Sequence, residues 1–345
     1  MAIPKNVIFT DEVSKKLADL VVQGHYDKVG LLVDENTKKH CLPLLETEGW
    51  FVIEIESGEK NKQLQTCISI WEELTLLQFT RRSLLINLGG GVITDMGGFV
   101  AATYKRGIAF INVPTTLLAQ VDASIGGKIG VDFQQLKNHI GLFQEPLAVF
   151  LDTLFLKTLP GEQLRSGYAE ILKHGLIADA EYWKQLKAQN LEEIEDWRSL
   201  LRRSVAIKGE VVASDPFEKG KRKILNFGHT LGHAIETHFL DSTTPLLHGE
   251  AVAIGMILES FLSSKIAGLA NEIVNEIAQV IVNNYPHHAL TDYQEISHHL
   301  LHDKKNDQGR INYSLLSSIG QCQWDQQVPE SMIKDALAFY HSLYE

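Results

Sequence analysis

Cysteine is scarce in this sequence, which has three among 345 residues: Cys41, Cys67 and Cys322. An odd number of widely spaced cysteines without a Cys-x-x-Cys pair argues against a disulfide framework and favours a reducing, cytoplasmic location. We therefore expect the three thiols to be small, buried apolar groups. The start of the sequence has no apolar core that would suit a signal peptide, and no uncharged run reaches the ~20 residues that cross a bilayer.

Positive charge is also in the minority. Lysine and arginine number 32 against 43 aspartates and glutamates, which gives a formal net charge of −11. This balance disfavours a nucleic-acid or anionic-membrane partner, so an anionic small molecule would need a local basic pocket. The length predicts about two domains, and a hydrophobic fraction of 44% is typical of a globular chain.

The first half of the chain alternates short apolar runs with longer amphipathic stretches. Runs rich in Val, Ile and Phe predict buried parallel strands at Lys28–Val33, Trp50–Ile55, Ser83–Leu88, Ile108–Val113 and Leu147–Leu151. Between them, apolar residues recur at intervals of three and four in Lys62–Gln78, which predicts a helix. This alternation predicts an α/β, Rossmann-like domain over residues 1–158.

The second half has mainly helical periodicity. Long amphipathic stretches occur at Gly161–Ile177, Ser199–Ala213, Gly249–Ala267 and Glu330–Leu343. Alternating apolar and polar residues in Arg310–Ser317 predict one short strand. We expect a mainly helical domain over residues 159–345, with a ligand site in the cleft between the two domains.

A glycine-rich turn follows the third predicted strand, in Gly89-Gly90-Gly91-Val92-Ile93-Thr94-Asp95. Glycines at a strand end let backbone N–H groups approach a diphosphate, and a following helix N-terminus favours its negative charge. The spacing is not Gly-x-Gly-x-x-Gly, because Thr94 occupies the last position. On this segment alone, a dinucleotide site and a plain tight turn are both open.

The segment Gly126-Gly127-Lys128 is similar to part of a phosphate-binding loop. Asp122 replaces the first glycine of that loop and Ile129 replaces the Ser or Thr that would meet magnesium, so we expect no nucleotide hydrolysis. Lys128 is either an anion ligand or a solvated loop lysine. The same alternatives apply to the other basic residues near these motifs, which would form a pocket only jointly: Arg106, Lys137, Lys173, Lys208, Arg222, Lys304 and Lys305.

Four residues have the chemistry of a metal site. His229 and His233 are four residues apart and would share one helix face, where they could bind one ion. His248 and Glu170 are the further candidates, and Glu170 interrupts an otherwise apolar helix. Histidines with one glutamate are typical of a catalytic zinc site, whereas core histidines satisfied by the fold are the alternative in a chain with 14 histidines.

Six segments together resemble the 3-dehydroquinate synthase family of the sugar-phosphate cyclase superfamily, in that family's order. They are Gly89–Phe99, Pro114–Asp122, Gly126–Lys128, Lys137-Asn138, Ala169–Lys173 and Asn226–Glu236. The resemblance implies a Rossmann-like NAD-binding domain, a mainly helical domain that binds metal and substrate, and an active site in the interdomain cleft.

The resemblance also implies the residues that bind each group. For zinc, or cobalt in its place, the matching ligands are Glu170, His229 and His248, which moves His233 to the substrate pocket. For NAD the matching positions are Asp34, Ser57, Gly58, Glu59, Lys60, Asn61, Lys62, Gly90, Gly91, Val92, Ile93, Thr94, Asp95, Thr115, Thr116, Lys128, Lys137, Phe155, Leu156, Lys157 and Thr158. For the substrate they are Asp122, Lys128, Asn138, Lys173, Lys208, Arg222, Asn226, His233 and one of Lys304 or Lys305, with Arg106 contributed across a homodimer interface.

The implied activity is that of a lyase of the shikimate pathway, which leads to chorismate and the aromatic amino acids. Such an enzyme converts 3-deoxy-D-arabino-heptulosonate 7-phosphate to 3-dehydroquinate and phosphate by transient NAD-dependent oxidation, phosphate elimination, re-reduction and aldol closure. Asp132, Lys105 and Ile129 depart from residues common in the family without removing a matched ligand.

Three alternatives are open at this point. A cyclase acting on sedoheptulose 7-phosphate would use the same cofactors, but its sugar has no carboxylate and would not need Lys208 and Arg222 to bind one. A metal-dependent polyol dehydrogenase would release NADH as a net product. A non-catalytic protein that binds NAD or zinc is disfavoured, because it needs no complete set of substrate groups.

Overall fold

The computed structural model describes residues 2–134, 136–240, 242, 244–290, 293–301 and 311–345. In it, the apolar runs of the first half form most of a six-stranded parallel sheet. The sheet strands are β1 (Val7–Phe9), β2 (Val29–Asp34), β3 (Phe51–Ile55), β4 (Leu84–Gly89), β5 (Ala109–Pro114) and β8 (Val149–Leu151), with a hairpin of β6 (Lys128–Phe133) and β7 (Leu136–Phe143) inserted before the last. The five predicted strands are confirmed. β1 was not predicted, because three residues are too short for a periodic signal.

Helices bury both faces of this sheet. They are α1 (Val13–Gly24), α2 (Glu35–His40), α3 (Leu64–Leu76) and α4 (Gly91–Thr103). Leu84 and Ile86 of β4 pack in one buried cluster with Leu17 of α1, whereas Leu85 packs in a second cluster with Leu74 of α3. Because both faces are covered, the strands are continuous apolar runs rather than alternating ones.

The strand order is β1-β8-β5-β4-β2-β3, and its neighbours are parallel throughout. The chain leaves β2 toward the β3 edge, but it leaves β4 toward β5 in the opposite direction. Neighbouring strands with opposite onward connections form a switch point, where ligands bind beyond the carboxyl ends of the strands. The α/β, Rossmann-like expectation is confirmed.

The hairpin of β6 and β7 was not predicted. Gly130 pairs with Gly141 across the two strands, and a Cβ atom at either position would lie 2.6 or 2.4 Å from a carbonyl oxygen of the facing strand. The close backbone approach therefore requires glycine at both places. These glycines also weaken the apolar pattern from which strands are predicted.

The chain divides by its contacts into two compact units, Ala2–Pro160 and Gly161–Glu345. The second consists of α5 (Gly161–Ala178), α6 (Ala180–Leu186), α7 (Trp197–Ser214), α8 (His229–Phe239), α9 (His248–Ile266), α10 (Asn271–Asn284), α11 (Tyr293–Leu301), β9 (Tyr313–Ser318), β10 (Gln321–Gln326) and α12 (Glu330–Ser342). Its mainly helical character is confirmed, and so is a strand within the described part of Arg310–Ser317, since Arg310 itself lies outside the described residues. Of the helices described here, none is long and apolar enough to cross a membrane.

The cysteines match the expectation in two cases of three. Cys41 and Cys67 are buried, and burial raises the pKa of their thiols to about 11 and about 12. Cys322 is half-buried on β10, so the prediction of full burial is wrong there. A two-stranded sheet leaves the faces of its strands less covered than a six-stranded sheet between helices.

Candidate active site

Glu170 is a carboxylate with no exposed surface in the middle of α5. Its Oε2 atom contacts Nζ of Lys173, which lies one turn further along the helix and is 1% exposed. Burial raises the pKa of the Glu170 carboxyl, but the positive charge of Lys173 and the other neighbouring groups outweigh it and hold this pKa well below its usual value. Glu170 is therefore ionised, and it can offer a carboxylate oxygen to a metal ion from a buried position.

Two histidines, each the first residue of a helix, face this carboxylate. The Nε2 atoms of His229 on α8 and His248 on α9 lie 3.3 and 3.9 Å from Oε1 of Glu170. Helix α9 packs against both α5 and α8, which explains how residues far apart in sequence meet. The structure thus brings the two histidines and Glu170 together, as the metal-site hypothesis requires.

The other ring nitrogen of each histidine lies beside an oxygen acceptor. Nδ1 of His229 lies 3.2 Å from the carbonyl oxygen of Phe227, and Nδ1 of His248 lies 3.2 Å from Oε2 of Glu236. Because both partners can accept a hydrogen bond, a proton on Nδ1 suits each ring and directs Nε2 toward Glu170, as in histidines that ligate a metal. Two imidazole nitrogens beside a buried carboxylate whose oxygens accept no hydrogen bond from the described residues form a donor set that fits zinc.

His233 lies beside the same group. Its ring centroid is 5.3 Å from that of His229 and 5.8 Å from that of His248, and the donor nitrogens of the three rings lie within 4.8 Å of one another. The shared helix face predicted for His229 and His233 is therefore present. That His233 contacts substrate rather than metal stays a prediction from the resemblance.

Three candidate anion-binding residues occupy the same unit. Lys208 on α7 is 5% exposed and Arg222 is 2% exposed. Arg222 and Asn226 lie in the short 3₁₀ segment Lys221–Asn226, which leads into α8 and packs against α5 and α7. The carboxylate of Asp215 fixes the preceding loop by accepting hydrogen bonds from backbone N–H groups, among them that of Arg222 at 3.1 Å. Two buried cations give this unit the basic residues that an anionic ligand of the acidic chain would need.

The candidate NAD residues of the first unit follow successive strands at one edge of its sheet. Asp34 ends β2, Gly89 ends the neighbouring β4, and Thr115 follows β5. Gly90 precedes the first residue of α4 and has no side chain to cap it, while its missing Cβ would lie 3.0 Å from Cγ2 of Thr116. Backbone can thus approach a ligand at the switch point, where a helix N-terminus favours a diphosphate.

Lys62 bonds to one residue predicted to bind NAD and to another predicted to bind substrate. It is 4% exposed, and its Nζ atom lies 2.7 Å from Oδ2 of Asp95 and 2.6 Å from Oδ1 of Asn138. Burial alone would lower the pKa of Lys62, but the carboxylates of Asp95 and Glu59 raise it above its ordinary value. The lysine is therefore a permanent cation that holds both partners in place, with the N–H of Asn138 bonded in turn to Oδ1 of Asp132 at 2.6 Å.

The other predicted positions are spread over the loops of the first unit. Arg106 is exposed at φ +71°, between Lys105 at φ +51° and Gly107 at φ +109°. The remaining places are Asp122 in the turn Ala119–Ala123, Lys128 at the start of β6, Lys137 on β7, Ser57–Lys62 after β3 and Phe155–Thr158 after β8. Lys304 and Lys305 lie outside the described residues.

Comparison with known proteins agrees with these motifs. The family model described as 3-dehydroquinate synthase N-terminal matches residues 52–166, and the one described as 3-dehydroquinate synthase C-terminal matches residues 167–306. This chain belongs to the 3-dehydroquinate synthase family. The 3-dehydroquinate synthase of Parabacteroides distasonis is 42% identical over 350 residues, with 99% of each chain covered.

Solved structures similar to this 3-dehydroquinate synthase family member include two sugar-phosphate cyclases. A 2-epi-5-epi-valiolone synthase from Streptomyces hygroscopicus with NAD⁺ and Zn²⁺ bound has a TM-score of 0.87 at 25% identity, covering 99% of this chain and 98% of that one. A 2-deoxy-scyllo-inosose synthase complexed with carbaglucose-6-phosphate, NAD⁺ and Co²⁺ has a TM-score of 0.82 at 25% identity, covering 96% and 95%. The family and fold implied by the motifs are confirmed.

Sequence reasoning missed two buried glutamates of the site. Glu236 lies seven residues after His229, so helical spacing places both on one face, a signal that could have identified it. Glu259 interrupts the apolar helix α9 as Glu170 interrupts α5, but the sequence contains no hint of its partners. Contacts between helices that are distant in sequence require the structure.

Proposed function

We propose that this chain is a 3-dehydroquinate synthase, an NAD- and zinc-dependent lyase of the shikimate pathway. Its substrate would be 3-deoxy-D-arabino-heptulosonate 7-phosphate and its products 3-dehydroquinate and phosphate. The observation that carries the proposal is the pair of imidazole Nε2 atoms that face the buried carboxylate of Glu170, in a chain matched by the family over most of its length.

The proposed metal ligands are Glu170, His229 and His248. Zinc or cobalt bound there would act as a Lewis acid on a substrate hydroxyl. The protein's own contribution is orientation, because the Phe227 carbonyl and the Glu236 carboxylate fix the two rings by their Nδ1 atoms. Lys173, whose Nζ atom contacts the ligand carboxylate, would donate a hydrogen bond to a substrate oxygen.

The proposed NAD site uses the carboxyl edge of the parallel sheet. NAD⁺ bound there would accept a hydride from the substrate and later return it, so no net oxidation occurs. The glycine turn after β4 would contact the diphosphate through backbone N–H groups. Lys62 would keep Asp95 in position beside the start of α4.

The proposed substrate contacts separate its two anions. Lys208 and Arg222 would bind the carboxylate, because two buried cations suit a substrate with a carboxylate in addition to its phosphate, and sedoheptulose 7-phosphate has no carboxylate. The proposed phosphate contacts are Lys128, Asn138, Asn226, Lys304 or Lys305, and the partner subunit's Arg106. Asp122, Lys173 and His233 complete the proposed set. The homodimer follows from the resemblance, and a cytoplasmic location from the cysteine content.

Phosphate release by the purified protein tests the function. The protein is given the heptulosonate phosphate, NAD⁺ and zinc, with absorbance followed at 340 nm. We expect one phosphate per substrate, no accumulated NADH, and loss of turnover on chelation. Release from sedoheptulose 7-phosphate alone would move the assignment to another cyclase, and net NADH from a polyol would move it to a dehydrogenase.

A histidine pair on α8 supplies the control for the metal centre. His229→Ala should abolish both tight zinc binding and turnover. His238→Ala should leave both intact, because His238 lies at the other end of α8 from His229 and its Nδ1 atom faces Oε2 of Glu295 on α11 at 3.0 Å. Equal zinc content in the two variants would remove His229 from the ligand set.

A further inference from the structure

Helix α8 begins without a cap of its own. Its N-cap residue is Gly228, which has φ +79° and no side chain, and His229 is the first helical residue. The first N–H groups of any helix have no partner within the helix, and here they are buried. Their partner must therefore come from elsewhere in the fold.

A second helix supplies that partner. Glu259 on α9 has no exposed surface; its Oε2 atom accepts from the N–H of Gly228 at 2.7 Å, and its Oε1 atom accepts from the N–H of Leu231 at 3.0 Å. A carboxylate at a helix N-terminus is favoured by the helix dipole, and charge-assisted bonds to backbone N–H groups are among the stronger ones. The two bonds lie on either side of His229 in sequence.

The backbones of α8 and α9 pack closely together beside these two hydrogen bonds. A Cβ atom at Gly255 of α9 would lie 2.0 Å from the carbonyl oxygen of Gly228, and one at Gly232 of α8 would lie 3.0 Å from the carbonyl oxygen of Ala251. The two backbones are therefore nearly in contact along this interface. With that spacing fixed, the Glu259 bonds determine the rotation of the first turn of α8 relative to α9, whose own first residue is His248.

We propose that Glu259 is a positioning residue for the metal centre, which sets the direction of the His229 imidazole relative to His248 and Glu170 by anchoring the start of α8. This inference rests on the proposed function, because it takes these three residues as the ligands. Glu259 acts through the backbone of α8 and not by touching metal or substrate. The consequence is that metal affinity depends on Glu259, a carboxylate of α9 that accepts hydrogen bonds from the backbone at the start of α8.

The Glu259→Gln variant of the full chain tests the inference. Glutamine keeps the size of the side chain, but its amide has one oxygen for two N–H donors, and its NH₂ group would face the second donor. We expect zinc affinity, measured by competition with a chelator, to fall about 10- to 100-fold, the range found when partners of metal ligands are removed. The visible absorption of the cobalt-loaded protein should also shift, because it reports ligand geometry.

Ser263→Ala is the matched control. Ser263 is fully buried one turn after Glu259, and its hydroxyl accepts from the N–H of Leu316 at 2.9 Å and donates to the backbone carbonyl of Glu259. Its loss removes buried hydrogen bonds from the same helix without touching α8. We expect a lower melting temperature with zinc affinity within twofold of wild type and an unchanged cobalt spectrum.

The outcomes distinguish a failure of the positioning role of Glu259 from a failure of the proposed function. Zinc binding and cobalt spectra that are equal in wild type and Glu259→Gln would overturn the positioning role and leave the proposed function intact. Wild-type protein that binds no zinc would overturn both. If Glu259→Gln does not fold, Glu259→Asp replaces it, since the shorter acid keeps the charge but withdraws the carboxylate from one of its two donors; wild-type zinc affinity in that variant would also overturn the role.

Discussion

The Nδ1 atom of His248 lies 3.2 Å from Oε2 of Glu236, so the first residue of α9 is oriented by a carboxylate on α8. The same two helices are joined in the reverse direction by Glu259 of α9, which caps α8. Each of the two histidines that face Glu170 is thus constrained by an acid on the opposite helix. Reciprocal constraints of this kind favour a preformed ligand geometry over one assembled by the metal.

Glu236→Gln should weaken zinc binding. The amide can still accept a bond from Nδ1 of His248, but it no longer stabilises the imidazole with a full negative charge, so we expect about 10-fold lower zinc affinity and little change in thermal stability. Chelator competition measures the affinity. Wild-type zinc affinity in the Glu236→Gln variant would show that the charge of Glu236 does not contribute to metal binding.

Arg222→Ala should reduce kcat/KM through loss of substrate binding. Removing one member of a buried charge pair costs ~2–5 kcal/mol, which corresponds to a loss of about 30-fold or more. Lys221→Ala is the control, because the preceding lysine is exposed. Steady-state kinetics with phosphate detection measure both, and equal kcat/KM values would remove Arg222 from the substrate contacts.

Gly97→Ala should destabilise the first unit. A Cβ atom at Gly97 on α4 would lie 2.0 Å from Oδ1 of Asn87, and Asn87 is held by a buried bond from its Nδ2 atom to Oδ1 of Asn112 at 2.8 Å. Overpacking of this kind costs ~1–3 kcal/mol. Gly161→Ala, where a Cβ atom meets nothing within 4 Å, should cost nothing. Urea unfolding measures both, and equal stabilities would contradict the predicted clash.

Acid should destabilise the second unit in part through Asp179. Burial raises the pKa of this carboxyl, but bonds from Arg203 and from the N–H of Tyr182 outweigh it and lower the pKa below its ordinary value. A group with a lowered folded-state pKa contributes stability above its unfolded pKa of about 3.9 and loses it as pH falls through the folded value. The difference in urea midpoint between wild type and Asp179→Asn should therefore shrink between pH 6 and pH 3. A difference that is constant with pH would contradict this.

Much of the fold follows from local sequence patterns, as the run at Ser83–Leu88 illustrates, because a strand covered on both faces needs only apolar residues. The hairpin of β6 and β7 does not follow, since the glycines it needs resemble a loop. The metal candidates His229, His233, His248 and Glu170 were recognisable from residue type and helical spacing, but the set Glu170, His229 and His248 came from the resemblance to the family. Their orientation was not recognisable, because it depends on Glu236 and Glu259, whose partners lie on other helices or at distant helix ends.

The boundary at Pro160 also sets the order in which the ribosome makes the two units. Glu170, His229 and His248 all follow that residue, so the ribosome has made the whole of Ala2–Pro160 before it adds the first of them. The parallel sheet can therefore form before any of these three proposed ligands exists. Zinc bound by the three proposed ligands would therefore enter a chain whose first unit has already been synthesised.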